Sequence, residues 1–267
     1  MKIFRVKPGS KVRLSDIDPA GEPEITCDKE SGQRELETIR TDIQRLQRML
    51  YAERRHRLLI VLQGLDGSGK DGTVRHVFTG LDPHGLRVVS FKGPTPEELD
   101  HDFLWRIHRE VPARGEITVF NRSHYEDITA VSVKNLAPKS VWEKRYDHIV
   151  NFERLLSDEG TTIIKCFLHI SREEQRRRLQ ARLENPDKHW KFHPDDIADR
   201  KRWPDFIDAY ETVFSRTSTD NAPWFIIPAD RKWFRNLAIA GIVREALAKL
   251  ELKFPPPAWD LTGVQIP

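Results

Sequence analysis

LLIVLQGLDGSGKDGT, residues Leu58 to Thr73, decides the fold. Leu58 to Gln63 is rich in branched apolar side chains, and glycines then fall at 64, 67, 69 and 72. A continuous apolar run ended by glycines reads as a buried parallel strand feeding a tight loop, with a helix beginning after Lys70. The spacing Gly64, four residues, Gly69, Lys70 matches seven positions of the phosphate-loop pattern. In such a loop the backbone N–H groups of Gly67, Ser68, Gly69, Lys70, Asp71 and Gly72 would turn toward phosphate oxygens. The helix start adds its positive dipole end, and Lys70 adds a mobile charge. The eighth position departs from the pattern: Asp71 stands where Ser or Thr would hold magnesium.

Upstream, residues 1 to 32 show no clear period and read as an irregular arm on the surface. Leu36, Ile39, Ile43, Leu46, Leu50 and Tyr51 make an amphipathic helix over Gln33 to Arg57, its stripe suited to core packing. Downstream, Gly80 should end the helix after the loop, and strands are expected at Arg87–Phe91, Ile117–Phe120, Thr162–Ile170 and Trp224–Ile227. Thr95 should cap a helix PEELDHDFLWRIHRE, and further helices should cover 139 to 158, 205 to 214 and 232 to 250. Ser171 with Glu174 suggests a capping box, and 185 to 204 a mobile segment containing a short helix. Strands alternating with helices predict an α/β fold, a doubly wound parallel sheet of five strands with helices on both faces. The expected division is an arm and helix over 1–57, a core over 58–250 with a lid at about 171–204, and an extended tail over 251–267. Helix 33–57 and the tail are candidate interface elements.

The 44 basic residues are nearly balanced by 41 acidic ones, a formal net charge of +3 that is slight for a nucleic-acid binder. No apolar run is long enough for a membrane span, and no signal peptide precedes the first charged segment, so a cytoplasmic protein is expected. Cys27 and Cys166 are the only cysteines, too few for a disulfide framework.

In a doubly wound sheet the loops after strands one, three and four should converge on the ligand. The third strand ends at Asn121, Arg122, Ser123, His124, Tyr125, Glu126, Asp127. Phosphoryl transfer needs cations for the moving group and carboxylates for magnesium. Arg122 is the available cation, and Asp66, Asp71, Glu126 and Asp127 are the available acids. On the helix after strand four, Arg178 and Arg182 share a face, with Arg177, Lys188 and Lys191 nearby. That patch is either a solvated face or part of a lid whose arginines reach the transferred group.

GLDGSGKDGT, FKGPTPEELDHDFLWRIH, VFNRSHYEDI, HISREEQRRRLQARLENPDKHWKF and PWFIIPADRKWFRN, in this order, resemble the polyphosphate kinase 2 family from about residue 30 to 250. The resemblance implies a phosphate-loop kinase fold similar to thymidylate kinase. It also implies phosphoryl transfer between inorganic polyphosphate and purine nucleotides (AMP to ADP, ADP to ATP, reversibly), with Mg2+ or Mn2+ as cofactor and a homo-oligomer, dimer or tetramer. In that family the loop ends in GKD or GKG, which accounts for Asp71. Carried over by position, Asp66, Lys70, Arg122, Glu126, Asp127, Arg178 and Arg182 would be catalytic. Asn121, Arg122, Glu126 and Arg106 would bind nucleotide, and Asp66 and Asp127 the metal. Many members read DRSWYNR where this chain reads NRSHYED, which looks like the subgroup acting on both mono- and diphosphates. Asn121 cannot serve as a base. An ATP-dependent nucleotide kinase would favour Ser or Thr at 71. A noncatalytic polyanion-binding module leaves the carboxylates unexplained.

Overall fold

A computed structural model describes residues 5–21 and 28–266. In chain order the elements are α1 (Lys29–Glu53), β1 (Arg57–Gln63), α2 (Lys70–Val77), β2 (Leu86–Ser90), α3 (Pro96–Leu99), α4 (Trp105–His108), β3 (Ile117–Asn121) and α5 (Glu126–Val133). They continue with α6 (Lys139–Trp142), α7 (Arg145–Asp158), β4 (Thr161–His169), α8 (Arg172–Leu183), α9 (Pro194–Lys201), α10 (Trp203–Thr217), β5 (Trp224–Pro228) and α11 (Lys232–Ala248). The strands form one parallel sheet in the order β2-β3-β1-β4-β5. This is the phosphate-loop kinase fold, with β1 at the centre.

Because successive strand residues face opposite ways, β1 divides its apolar side chains between two cores. Leu58, Ile60 and Leu62 join α1, α2 and α11 on one face. Leu59 and Val61 join α5, α7 and α10 on the other. The stripe of α1 is buried against α11, so the core-packing reading of that helix holds and its apolar side is not an open interface. No helix among the described residues is long and apolar enough to cross a membrane.

The structure departs from the sequence reading at several places. The helix expected over PEELDHDFLWRIHRE is two single turns, α3 and α4. A capping box from Thr95 and Glu98 opens the first, and the Asp102 carboxylate, accepting from Leu104 N at 2.9 Å, starts the second. The span 139 to 158 turns at Glu143, whose carboxylate reaches Arg216 of α10. Glu126 and Asp127, expected in a loop, open a helix that the reading lacked, α5. The capping box at Ser171 is only half made: Ser171 accepts from Glu174 N at 3.0 Å, but the Glu174 carboxylate turns to Arg177 and Arg178. Nor does the arm merely lie on the surface, since Val6 and Leu14 are buried in the second core and Arg5 bridges Phe225. Helix α1 starts at Lys29 because the Asp28 carboxylate caps it. Residues 186–191 and 194–201 are helical turns, and 203 begins α10. Cys166 is buried, and Cys27 lies outside the described residues.

Candidate active site

The site forms where β1 and β3 end side by side, Leu62 paired in register with Asn121. Gly64, Gly67 and Gly69 all have positive φ, the last at 102°. At Gly69 a Cβ would also lie 1.9 Å from the Arg235 guanidinium, so any side chain there would have to displace that buried group. Lys70 opens α2, and its Nζ folds back to donate to Gly64 O at 2.6 Å. The ammonium is buried, and burial with the neighbouring Arg122 cation depresses its pKa against the pull of Asp66, Glu126 and Asp71. Ser68 Oγ is buried in the loop with no hydrogen-bond partner. An orphaned hydroxyl there is costly to leave unmade and is placed to donate to an anion.

Arg122 follows β3 in the left-handed region, φ 62°, and its backbone N donates to Leu62 O. That conformation is strained for a residue with a side chain, and it turns the guanidinium across to Asp66 Oδ1 at 2.5 Å. Burial opposes charge on both groups, but Lys70 and Arg122 together hold Asp66 below the ordinary carboxylate range. Glu126 sits behind this pair. Burial raises its pKa, partly offset by Arg122 and Lys70. In the amide orientation that satisfies its neighbours, Gln63 donates to Glu126 Oε1 at 2.9 Å and accepts from Ser123 N at 3.0 Å.

Asp127 belongs to a different cluster. Arg106 donates to its Oδ2 at 3.3 Å and to Lys92 O at 2.9 Å, while Arg145 donates to the Asp127 carbonyl at 2.7 Å. The two departures noted in the sequence meet each other: Asn121 Nδ2 donates to Asp71 Oδ1 at 2.8 Å, and Lys191 donates to Asp71 Oδ2 at 3.2 Å. With aspartate at 121 two carboxylates would face one another. Asn121 thus fits beside an acidic eighth loop position, and Asp71 ties the loop to the segment after α8.

Arg178 and Arg182 do not stand free over the loop. Arg178 spends every donor on the protein, reaching Glu174 and the carbonyls of Gly67, Ser68, Ala229 and Asp230 at 2.7 to 3.0 Å. It clamps the phosphate loop to the end of β5. Arg182 pairs with Asp196 of α9 at 3.1 Å. Arg235, beside Arg178 and unremarked in the sequence although inside the DRKWFRN stretch, is fully buried on α11 and donates to Ser68 O at 3.1 Å. Burial and Arg178 push its pKa down to about 9.

A cavity of about 310 Å³ opens from Gly64–Asp66 past Arg122, Glu126 and Arg106 toward Phe91, Pro94 and Trp203. A pocket with an apolar end and a cationic, carboxylate-lined mouth suits a nucleotide. Lys134, just after α5, pairs with Asp199 of α9 at 2.8 Å across its rim.

The profile described as polyphosphate kinase 2 matches residues 26–255. The chain belongs to the polyphosphate kinase 2 family. An AMP/ADP-polyphosphate phosphotransferase of Meiothermus ruber is 49% identical over 257 residues, 96% of each chain. An ADP-polyphosphate phosphotransferase of Rhodopseudomonas palustris is 42% identical over 95% of this chain and 92% of its own. The crystal structure of polyphosphate kinase 2 from Arthrobacter aurescens superposes with a TM-score of 0.94 at 42% identity, covering 97% of this chain and 93% of that one.

Beneath this polyphosphate kinase 2 site lies a buried network that motif spacing did not reveal. Lys165 of β4 donates to Glu153 at 2.6 Å, Tyr125 OH at 2.8 Å and Thr217 O at 2.8 Å, and His124 meets the same Glu153 at 3.2 Å. Lys165 and Glu153 are almost wholly buried, and they brace the Ser123–Tyr125 turn that presents Arg122 and Glu126. The only sequence signal was a lysine in the apolar run IIKCFLHI.

Proposed function

We propose that this chain transfers the terminal phosphoryl group of inorganic polyphosphate to AMP and ADP. The observation that carries this reading is the meeting of Lys70, Arg122 and Asp66 at the boundary between the phosphate loop and the nucleotide-sized cavity. Phosphoryl transfer is mostly positioning and charge neutralisation, and this geometry supplies both. Lys70, released from Gly64 O, follows the moving group, while Arg122 faces it from the acceptor side. The backbone of Gly67 to Gly72 and the Ser68 hydroxyl cradle the donor. Arg178 holds that cradle in shape and acts through it rather than on the substrate. The names of the Meiothermus and Rhodopseudomonas relatives support polyphosphate as donor and AMP and ADP as acceptors.

Among the described residues no three His, Cys, Asp or Glu side chains converge as a ready metal cage. Magnesium, however, is commonly held by one or two carboxylates together with substrate phosphates. Asp66, ionised and beside the loop, fits that role once a cation takes the place of Arg122, which pairs with it at 2.5 Å, whereas the Asp127 carboxylate lies in the separate cluster between Arg106 and Arg145 at 3.3 and 3.8 Å. A divalent cation bound at Asp66 would neutralise charge on the transferring phosphates. Arg106 and Asp127 then serve as a rigid wall of the nucleotide cavity.

The test of the activity is production of ATP from ADP plus polyphosphate and of ADP from AMP plus polyphosphate, with magnesium and without. Turnover of both acceptors is expected, and turnover only with ATP as donor to AMP would overturn the reading. The metal assignment has its own check. Asp66→Asn should raise the magnesium concentration for half-maximal rate by about tenfold or more, an effect of about 1.4 kcal/mol. Asp127→Asn should leave that concentration unchanged and raise the nucleotide KM; the reverse pattern would return the metal to Asp127.

A further inference from the structure

Lys70, Arg122, Arg178 and Arg235 surround the phosphate loop, and the first three are answered by carboxylates. Arg122 pairs with Asp66, Arg178 with Glu174, and Asp66, Glu126 and Asp71 favour the charge on Lys70. Arg235 differs. It is 1% exposed, and no acidic side chain among the described residues lies within ion-pair distance of it. Its guanidinium donates to Asn236 Oδ1 at 2.8 and 3.1 Å and to Ser68 O at 3.1 Å, and the charge that bears on it is that of Arg178, a second cation. Arginine is rarely buried unless an anion meets it, because the lost hydration of the charge is otherwise uncompensated. The fold nonetheless wedges this one under the loop, where a Cβ on Gly69 or Gly72 would lie 1.9 or 3.3 Å from its nitrogens.

No solute can touch so buried a group, but a single peptide unit separates it from the inside of the loop. Ser68 O accepts from Arg235 and, at 3.0 Å, from Arg178. A trans peptide points its N–H opposite to its carbonyl, so two cations on Ser68 O aim the N–H of Gly69 at the far side of the loop and polarise it. The orphaned Ser68 Oγ belongs to the same residue. An anion in the loop therefore meets a donor oriented by Arg235 and, behind it, a charge that no carboxylate neutralises.

We propose that Arg235 is a positioning residue of the transfer reaction: the fold holds its charge without a counter-ion beneath the phosphate loop, and the donor's phosphates supply that counter-ion through the Ser68–Gly69 peptide. This rests on the loop holding donor phosphates. Its consequence is that neutralising Arg235 separates folding from binding. The ligand-free protein sheds an uncompensated buried charge, while the complex loses an attraction.

The test is Arg235→Met, which removes the charge and keeps most of the length, beside Arg235→Gln, which can still donate a hydrogen bond. Without ligand, Arg235→Met should melt no more than about 2 °C below wild type. Inorganic tripolyphosphate, by binding the folded state, should raise the melting temperature of wild type and raise that of either variant less than half as far. The donor KM should rise about tenfold or more in both variants, with the acceptor KM changed less than about twofold and kcat less than about threefold. A strut that only supports the loop predicts a lower melting temperature of the ligand-free protein and an intact response to tripolyphosphate. That result, or failure of Arg235→Met to fold, overturns the proposal. So does a wild-type donor KM in Arg235→Gln, because the hydrogen bond and not the charge would then be what acts. If wild type uses no polyphosphate, the activity assignment fails by itself and the tripolyphosphate shift alone decides. A shift diminished in both variants sustains the role of Arg235, and no shift in wild type, or one equal in all three proteins, ends it.

Discussion

Lys70→Ala should lower turnover by about two to three orders of magnitude, the loss of about 3–4 kcal/mol typical of removing one preorganised charge contact to a developing anion. Lys70 lies where nothing can substitute for it. Arg122 is committed to Asp66, Arg178 to the loop and β5, and Arg235 sits behind the loop backbone. Folding should be little disturbed, because the buried ammonium bonds only carbonyls of its own loop, at Gly64 and Leu65. Burial and Arg122 already disfavour its charge, so removing it relieves a local cost. Single-turnover phosphoryl transfer, measured alongside the melting temperature, checks this. Turnover within about tenfold of wild type in a protein that melts normally would take the loop lysine out of the reaction.

The second large effect is on stability. Lys165→Met should destabilise the fold by about 3–5 kcal/mol, because it leaves the Glu153 carboxylate buried and without its cation. Burial raises the Glu153 pKa, but Lys165 and His124 outweigh it and hold the group below the ordinary range. Its contribution to stability is therefore present at neutral pH and is lost as pH falls through that lowered value; burial also lowers the Lys165 pKa, so at high pH the pair loses its cation earlier than an exposed lysine would. At about 2–4 °C per kcal/mol for a chain of this size, the melting temperature should drop by roughly 6–20 °C. Replacing Glu153 by leucine in the same protein removes the stranded charge and should restore part of the loss. A melting temperature within about 2 °C of wild type in Lys165→Met would mean that water or another group satisfies Glu153. Since the same pair braces the turn behind Arg122, kcat should fall in Lys165→Met even well below its melting temperature, with less change in nucleotide KM.

Much of this molecule is legible along the chain because its signals are local. The strand at 58–63 is a run of apolar residues, the loop a spacing of glycines, and α1 a stripe at helical steps. Each depends on side chains a few positions apart. The family follows from five such stretches in order, and with it the phosphate loop, Lys70 and Arg122. Local reading failed where a short polar side chain could end one turn or start another, as Asp102 does between α3 and α4. It failed likewise at Glu126, where α5 begins without a side-chain cap to announce it.

What only the tertiary structure decided is which charge meets which. Asp71 and Asn121 are 50 positions apart, and Lys191 is 120 from Asp71, yet the three share one corner because β1 and β3 are neighbours in the sheet. Arg178, on the helix face that the spacing marks as a candidate lid, is turned inward by the carbonyls that end β5 and line the loop. Lys165 and Glu153 find each other across the second core, where the low polarity makes each one's partner a matter of several kcal/mol. A sequence period records which way a side chain points from its own element. The partner it meets there depends on strand order and helix packing, and these are set by burial summed over the whole chain.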